Sequence, residues 1–277
     1  MSSPQLTIIG AGKVGSALGR AFRKAGLSVT LRPLRRGLPQ RLPRADLVIL
    51  AVRDDDIAQV AGELAAAGLL ARRRKHSAVV HCAGSLGADC LAALQSTRVS
   101  VGQMHPLLSF ADRRHGPELQ GAYVHIHGDD RACRLAARVS RAVGMVPITI
   151  DPLDLALYHA AAALLSNGAV ALAAGSAATL EAAGADAAVG SAMLAPLLRS
   201  VADNLDRLGL PAALTGPVRR GDAEAVGAHL RHLAARAPGQ LALYRALVEA
   251  QLPIARALNE ASAEKFDAIA RLLAESH

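Results

Sequence analysis

The stretch Gly10-Ala11-Gly12-Lys13-Val14-Gly15 constrains this chain most, because it follows an apolar run, Leu6 to Ile9, and opens a helical pattern that continues through Ala25. Three glycines in that register have separate tasks. Gly10 permits the tight turn, Gly12 lets the backbone approach a pyrophosphate, and Gly15 lets the helix pack closely on the strand. The helix N-terminus adds unpaired amides and the positive end of its dipole. The pattern implies a dinucleotide-binding unit at the start of the chain.

Further apolar runs extend this unit. Ser28 to Arg32 reads as a second strand, and Leu47 to Val52, Ala78 to Cys82, Val99 to Gln103 and Tyr123 to Ile126 read as four more, with helical segments between most of them. Strands that alternate with helices form a parallel, doubly wound sheet. From Asp151 the pattern turns helical, over about 152–183, 185–208, 222–236, 239–250 and 254–275, with Pro196 and Pro253 expected to kink or break two helices. Asp151 is the expected N-cap of the first, with Pro152 at its first position and Asp154 as the capping-box acid. The expected fold class is α/β: a Rossmann domain at 1–150 with a doubly wound, mainly parallel sheet, then an all-α domain for substrate and dimerisation at 151–277.

The end of the second strand separates the two nicotinamide cofactors. A site for NAD places a carboxylate there, about twenty residues after the glycines, to hold the ribose 2′-hydroxyl. Arg32 and Arg35 stand in that region instead, and arginines suit a 2′-phosphate, so NADP is expected rather than NAD. Val52 and Arg53 follow the third strand and Gly84 and Ser85 the fourth, where ligands bind in open α/β sheets. The acids Asp54, Asp55 and Asp56 are expected to cap the next helix, and Ser85 has a possible capping role of its own.

Candidate chemistry rests on histidines. His105, held by Pro106 at the end of the fifth strand, and His159 on the long uncharged helix are candidate proton donors, beside the alternative of structural histidines. His159, Ala163, Ser166 and Asn167 share a helix face, and buried polar groups on such a face need partners or a ligand. Asn204, Thr215 and Arg219 or Arg220 could clamp an anionic substrate, while Asp222 suits an N-cap. His125 and His127 share a strand face and are expected at the surface, with no carboxylate spacing for a metal site.

Composition excludes several classes. The net charge of +8 invites nucleic acid, but the arginines are scattered and aromatics make up only 2%, which leaves no stacking platform. The dense run Arg72-Arg73-Arg74-Lys75 reads as a solvated loop. Three cysteines without ligand spacing, and an N-terminus that enters a strand without a basic leader, fit the cytoplasm. Leu155 to Leu180 lacks charged residues, yet its alanines, glycines and polar residues suggest a helix buried by its own domain or a partner subunit, not a membrane span.

Four stretches, Gly10 to Gly15, Gln103 to Phe110, Tyr158 to Asn167, and Ala213 to Asp222 with His229 after it, resemble a bacterial family that joins a Rossmann-like domain to a helical C-terminal domain of unknown function. That family is similar to the 6-phosphogluconate, 3-hydroxyisobutyrate and ketopantoate dehydrogenase group, whose long C-terminal helix covers the nicotinamide and often builds a dimer. Those enzymes carry a lysine and an asparagine there as proton donor and substrate anchor. Here the lysine is absent, His159 is the nearest candidate, and Asn167 lies two turns on. His105-Pro106 is also similar to a histidine-proline turn of prephenate dehydrogenases.

The resemblance implies an NADP-dependent oxidoreductase that reduces a small, anionic 2-oxo acid such as ketopantoate and works as a homodimer through its C-terminal domain. An imine or prephenate-like substrate stays open, as does a non-catalytic NADP-binding redox sensor. Neither nucleic acid nor membrane is an expected partner.

Overall fold

Apolar runs without a polar face belong inside a sheet covered on both sides. Leu47–Leu50 and Ser77–His81 are such runs, buried at every position, and they form the centre of a seven-stranded sheet. In the computed structural model, which describes residues 3–38, 40–43, 45–70, 77–96 and 98–275, the strands are β1 Gln5–Ile9, β2 Ser28–Arg32, β3 Leu47–Leu50, β4 Ser77–His81, β5 Val99–Pro106, β6 Tyr123–Gly128 and β7 Val146–Ile148. The basic run Arg72 to Lys75 lies outside the described residues.

The spatial order is β2-β1-β3-β4-β5-β6-β7, parallel throughout except where β6 runs antiparallel to β5. The mainly parallel, doubly wound sheet expected from the sequence is thus present. Short β7, Val146–Ile148, has no apolar run to announce it and joins the edge by pairing with β6. One core holds Leu18 and Phe22 of α1 (Lys13–Lys24) and Ala136 and Val139 of α3 (Asp130–Ala142). The second core holds Val60 and Leu64 of α2 (Ile57–Ala66). Between β4 and β5 the connection is a 3-10 turn, Ala88–Leu94, whose Leu91 and Leu94 join that second core.

The chain forms two compact units, 1–166 and 167–277, and the division falls inside the long helix α4, Leu155–Ala182. The other helices are α5 Ala187–Leu208, α6 Ala223–Arg236, α7 Pro238–Leu258 and α8 Ala263–Glu275. Helix α4 starts later than expected. Asp154 accepts from the Leu157 N–H at 3.0 Å and is the capping acid, in place of Asp151. Asp222 caps α6 as expected, accepting from the Ala225 N–H at 3.0 Å. Pro253 does not end a helix: α7 runs through it, and the break comes at Asn259, left-handed at φ 55°. Apolar packing of Val248, Leu252 and Ala255 around it outweighs the one backbone bond that proline removes.

In the second unit, Val226 and Leu230 of α6, Val248 and Leu252 of α7, and Phe266 and Ile269 of α8 form the core. No residue of α4 or α5 belongs to it. Helix α4 has no buried residue and α5 has only Gly190, so of the two covers the sequence suggested for α4, its own domain or a partner subunit, the first is not observed. Among the described residues α4 is the one helix long and apolar enough to cross a membrane.

Gly15 shows how tightly α1 seats on the sheet: a Cβ there would overlap the Gly10 carbonyl oxygen and press on Ala51. Gly15→Ala should destabilise the first unit by about 1–3 kcal/mol, read as a lowered denaturant midpoint, whereas Gly12→Ala, which meets nothing within 4 Å, should leave the midpoint unchanged.

Candidate active site

Two groups of residues sit at the carboxyl ends of the parallel strands. The first is a groove of about 470 Å³ at the switch point between β1 and β3. Gly10 has φ 108°, and a Cβ on it would overlap the Ala51 carbonyl, so the turn out of β1 requires glycine. Gly12 is different. Space around it is open, it begins α1 without any side-chain cap, and the first amides of the helix face no protein acceptor there. An open position at an uncapped helix N-terminus is a cradle for an anion.

Ala11, Lys13 and Val14 line the groove with Gly10 and Gly12, and Arg35, Val52 and Arg53 line it from the following loops. Arg32 does not line it. Its carbonyl accepts from the Gly10 N–H at 2.8 Å, and its Nε is buried without a hydrogen-bond partner. Phe110 and Arg113 also line the groove, from the end of the Gln103 to Phe110 stretch and the loop after it. The acids behave differently from expectation: α2 has no side-chain cap, and Asp54 instead accepts from the Ser85 hydroxyl at 3.1 Å, tying together the loops after β3 and β4. Ser85 caps nothing, since the 3-10 turn that follows is preceded by Gly87.

The second group surrounds Ala83 and Gly84. The Ala83 N–H donates to His81 Nδ1 at 3.2 Å, which places the proton on Nε2, where it is donated to the Gly87 carbonyl at 3.0 Å. The Ala83 carbonyl accepts from Gln103 Nε2 at 2.8 Å. This orients the Gln103 amide, so its Oε1 accepts from His125 Nδ1 at 3.1 Å, while the Ile150 N–H stands 3.4 Å from His125 Nε2. His125 is therefore no surface histidine. It is 1% exposed, covered by the backbone at Ile150 and the Tyr158 ring 5.4 Å away, while His127 on the same strand face is exposed as expected. Burial holds the basicity of both His81 and His125 below the ordinary value.

Gly84 lies between two further imidazoles. A Cβ on it would be 2.8 Å from His105 Cε1 and Nε2 and 2.9 Å from His159 Nδ1. The His105 and His159 ring centres are 6.4 Å apart. His105 Nδ1 is 2.9 Å from the Tyr158 hydroxyl, and burial, with the neighbouring His159 and His125, lowers its pKa to about 4. Burial also raises the Tyr158 phenol. The Cys82 thiol, pushed up to about 12 by burial, is no nucleophile.

The structure thus brings His105, His159 and Gly84 together, and gathers the glycine loop with Arg35, Val52 and Arg53. Asn167 lies on α4 eight residues beyond His159 and belongs to the second unit, as do Asn204, Thr215, Arg219 and Arg220. Arg219 is committed there: it holds Glu260 through two bonds of 2.6 and 2.7 Å and reaches the carbonyls of Ala212 and Leu214. Asn204 accepts from Arg207 at 3.0 Å, and Thr215 and Arg220 are exposed. Gln103, His81 and Tyr158 are the site residues that sequence reasoning passed over. Gln103 and His81 were detectable as lone polar residues at the ends of otherwise apolar runs.

Neutral, buried histidines carry a pH signature. Each is depressed in the fold and titrates near 6.5 when unfolded, so the unfolded chain binds more protons as pH falls below 6.5. Stability should be level above pH 6.5 and fall steadily down to about pH 4, where His105 itself protonates. Denaturant midpoints across that range check this, and His125→Gln should flatten the slope.

Comparison with known proteins fits this architecture. Residues 122–251 match the family model described as "Domain of unknown function (DUF2520)". No curated protein sequence matches the chain. Among solved structures, protein TM1727 from Thermotoga maritima is similar at 22% identity, with 92% of this chain and 99% of that one covered and a TM-score of 0.66. A Bacteroides fragilis protein assigned as an NADP oxidoreductase is 20% identical over 91% of this chain and 98% of its own, with a TM-score of 0.68. The pyrroline carboxylate reductase of Plasmodium falciparum, solved with NADP bound, is 12% identical over 92% and 99%, with a TM-score of 0.59. At these identities the likeness establishes a shared fold, a Rossmann-like sheet followed by a helical C-terminal region.

Proposed function

We propose that the protein is an NADP-dependent oxidoreductase that reduces a small anionic substrate at a carbonyl or imine carbon. The observation that carries this reading is the open cradle at Gly12, an uncapped helix N-terminus with Arg35 and Arg53 on the rim of its groove and no carboxylate at the end of β2. The residues fit the cofactor. Gly12 and the first amides of α1 would take the pyrophosphate, and Arg35 the 2′-phosphate. Bound NADPH supplies a hydride. His159 would give the proton to the substrate's heteroatom, and glycine at 84 is what lets the loop after β4 pass this close to both imidazoles.

A 2-oxo acid such as ketopantoate is one substrate class. An imine is the other, and the likeness to the Plasmodium falciparum reductase favours it, pyrroline being a cyclic imine. A screen of NADPH oxidation against 2-oxo acids and imines tests the reading. Arg35→Ala should weaken NADPH binding about tenfold with NADH binding unchanged, and His159→Ala should slow turnover. Tight NADPH binding with no substrate turned over would instead indicate a redox sensor, and unchanged activity in both His159→Ala and His105→Ala would overturn the proton-donor assignment.

We also propose that the chain pairs with a second copy through α5 of its C-terminal unit. Val189, Met193, Leu197, Val201, Leu205 and Leu208 form a ridge along α5, each between 38% and 61% exposed. Burying what remains exposed of these six side chains would contribute about 1 kcal/mol each, and a ridge at every fourth residue packs against its own copy in a two-fold arrangement. Arg199, Asp203, Asp206 and Arg207 on α5 argue against a lipid surface. Sedimentation should show a dimer that Leu197→Glu with Val201→Glu converts to monomer. A monomeric parent protein, or its flotation with phospholipid vesicles, would overturn the assignment.

A further inference from the structure

Among the six histidines and tyrosines at the ends of β4, β5 and β6 and the start of α4, two imidazoles are spoken for. His81 and His125 have both ring nitrogens beside backbone or amide partners, so their tautomers are fixed. His105 has one nitrogen fixed. Its Nδ1 meets the Tyr158 hydroxyl at 2.9 Å, with the two rings edge to face at 5.5 Å, and its Nε2 edge lies so close to Gly84 that a Cβ there would be 2.8 Å away.

We propose that Tyr158 is a positioning residue: its hydroxyl donates to His105 Nδ1 and so fixes the tautomer with the proton on Nε2, from which His105 donates a hydrogen bond to the substrate's reacting oxygen or nitrogen. The direction follows from the chemistry of the pair. A phenol is a stronger acid than a neutral imidazole N–H, and an imidazole nitrogen is a better acceptor than a phenol oxygen. With the opposite tautomer, Nε2 would present a bare lone pair to an acceptor and repel it. A neutral imidazole N–H polarises a C=O or C=N bond without giving up its proton. Burial keeps His105 neutral at physiological pH, which matches this role and leaves proton delivery to His159.

The role at the substrate rests on the reductase reading, but the tautomer does not. The test therefore uses the full-length protein with ¹⁵N-labelled histidine at pH 7, without substrate, with His105→Gln to assign the resonance. The expected spectrum has a protonated Nε2 and a bare Nδ1 at His105, and Tyr158→Phe should shift that resonance toward a mixture of tautomers. In turnover, Tyr158→Phe should lower kcat about 10- to 100-fold with the KM for NADPH unchanged. A parent spectrum with the proton on Nδ1, or an unaltered His105 resonance in Tyr158→Phe, overturns the proposal. The parent spectrum decides the matter even where the variant is poorly folded, and a correct tautomer without any turnover would count against the reductase reading alone.

Discussion

Both backbone polar groups of Ala83 are held by buried side chains, and the organisation of the site depends on that clamp. His81 takes the N–H and Gln103 takes the carbonyl, each in turn satisfied by a partner of its own. Buried polar groups are costly when unpaired, and a fully paired network is correspondingly rigid. The loop after β4 is thereby fixed where only glycine at 84 fits against both His105 and His159. Charge would disturb this arrangement: a protonated His81 would turn its Nδ1–H onto the Ala83 N–H, and a protonated His125 would have only the Ile150 carbonyl, 3.4 Å from its Nε2, for its second N–H. Burial in the sheet keeps them neutral, so the hydrophobic core sets the protonation states on which the loop relies.

The nucleotide groove uses backbone where the histidine cluster uses side chains. Gly10 and Gly15 are demanded by the packing of the turn and helix against Ala51 and Gly10 itself, and only Gly12 leaves open space. Arg35, Arg53 and Arg113 then stand around a cradle of amides, with Asp54 and Asp56 on the same lining. Ser85 and Asp54 join the two regions through one hydrogen bond between their loops.

Much of the fold was legible because it rests on local patterns. The glycine loop, the central strands and the Asp222 cap each follow from a few neighbouring residues. The reading failed where tertiary context decides. Pro253 looked like a breaker, but the core around Val248 and Leu252 carries α7 through it. Asp54 looked like a cap, but a serine 31 positions away claims it. His125 looked exposed, since nothing local says that Ile150 and Tyr158, 25 and 33 residues on, will cover it. The site was only half visible for the same reason. Its histidines stand out by type, whereas the Tyr158 hydroxyl acquires meaning only beside a residue 53 positions earlier.

The antiparallel strand also sets an order of assembly. Strands β1 to β4 and the glycine loop form from successive strand–turn–helix segments, each closing over a short stretch of chain. The Ala83 clamp cannot close that way, because Gln103 is oriented by His125, 22 residues further on, and His125 by Ile150, 25 residues beyond that. The nucleotide cradle can therefore take shape early during synthesis, while the histidine cluster waits for the last two strands. A nascent chain would hold a place for the cofactor before it has a place for chemistry.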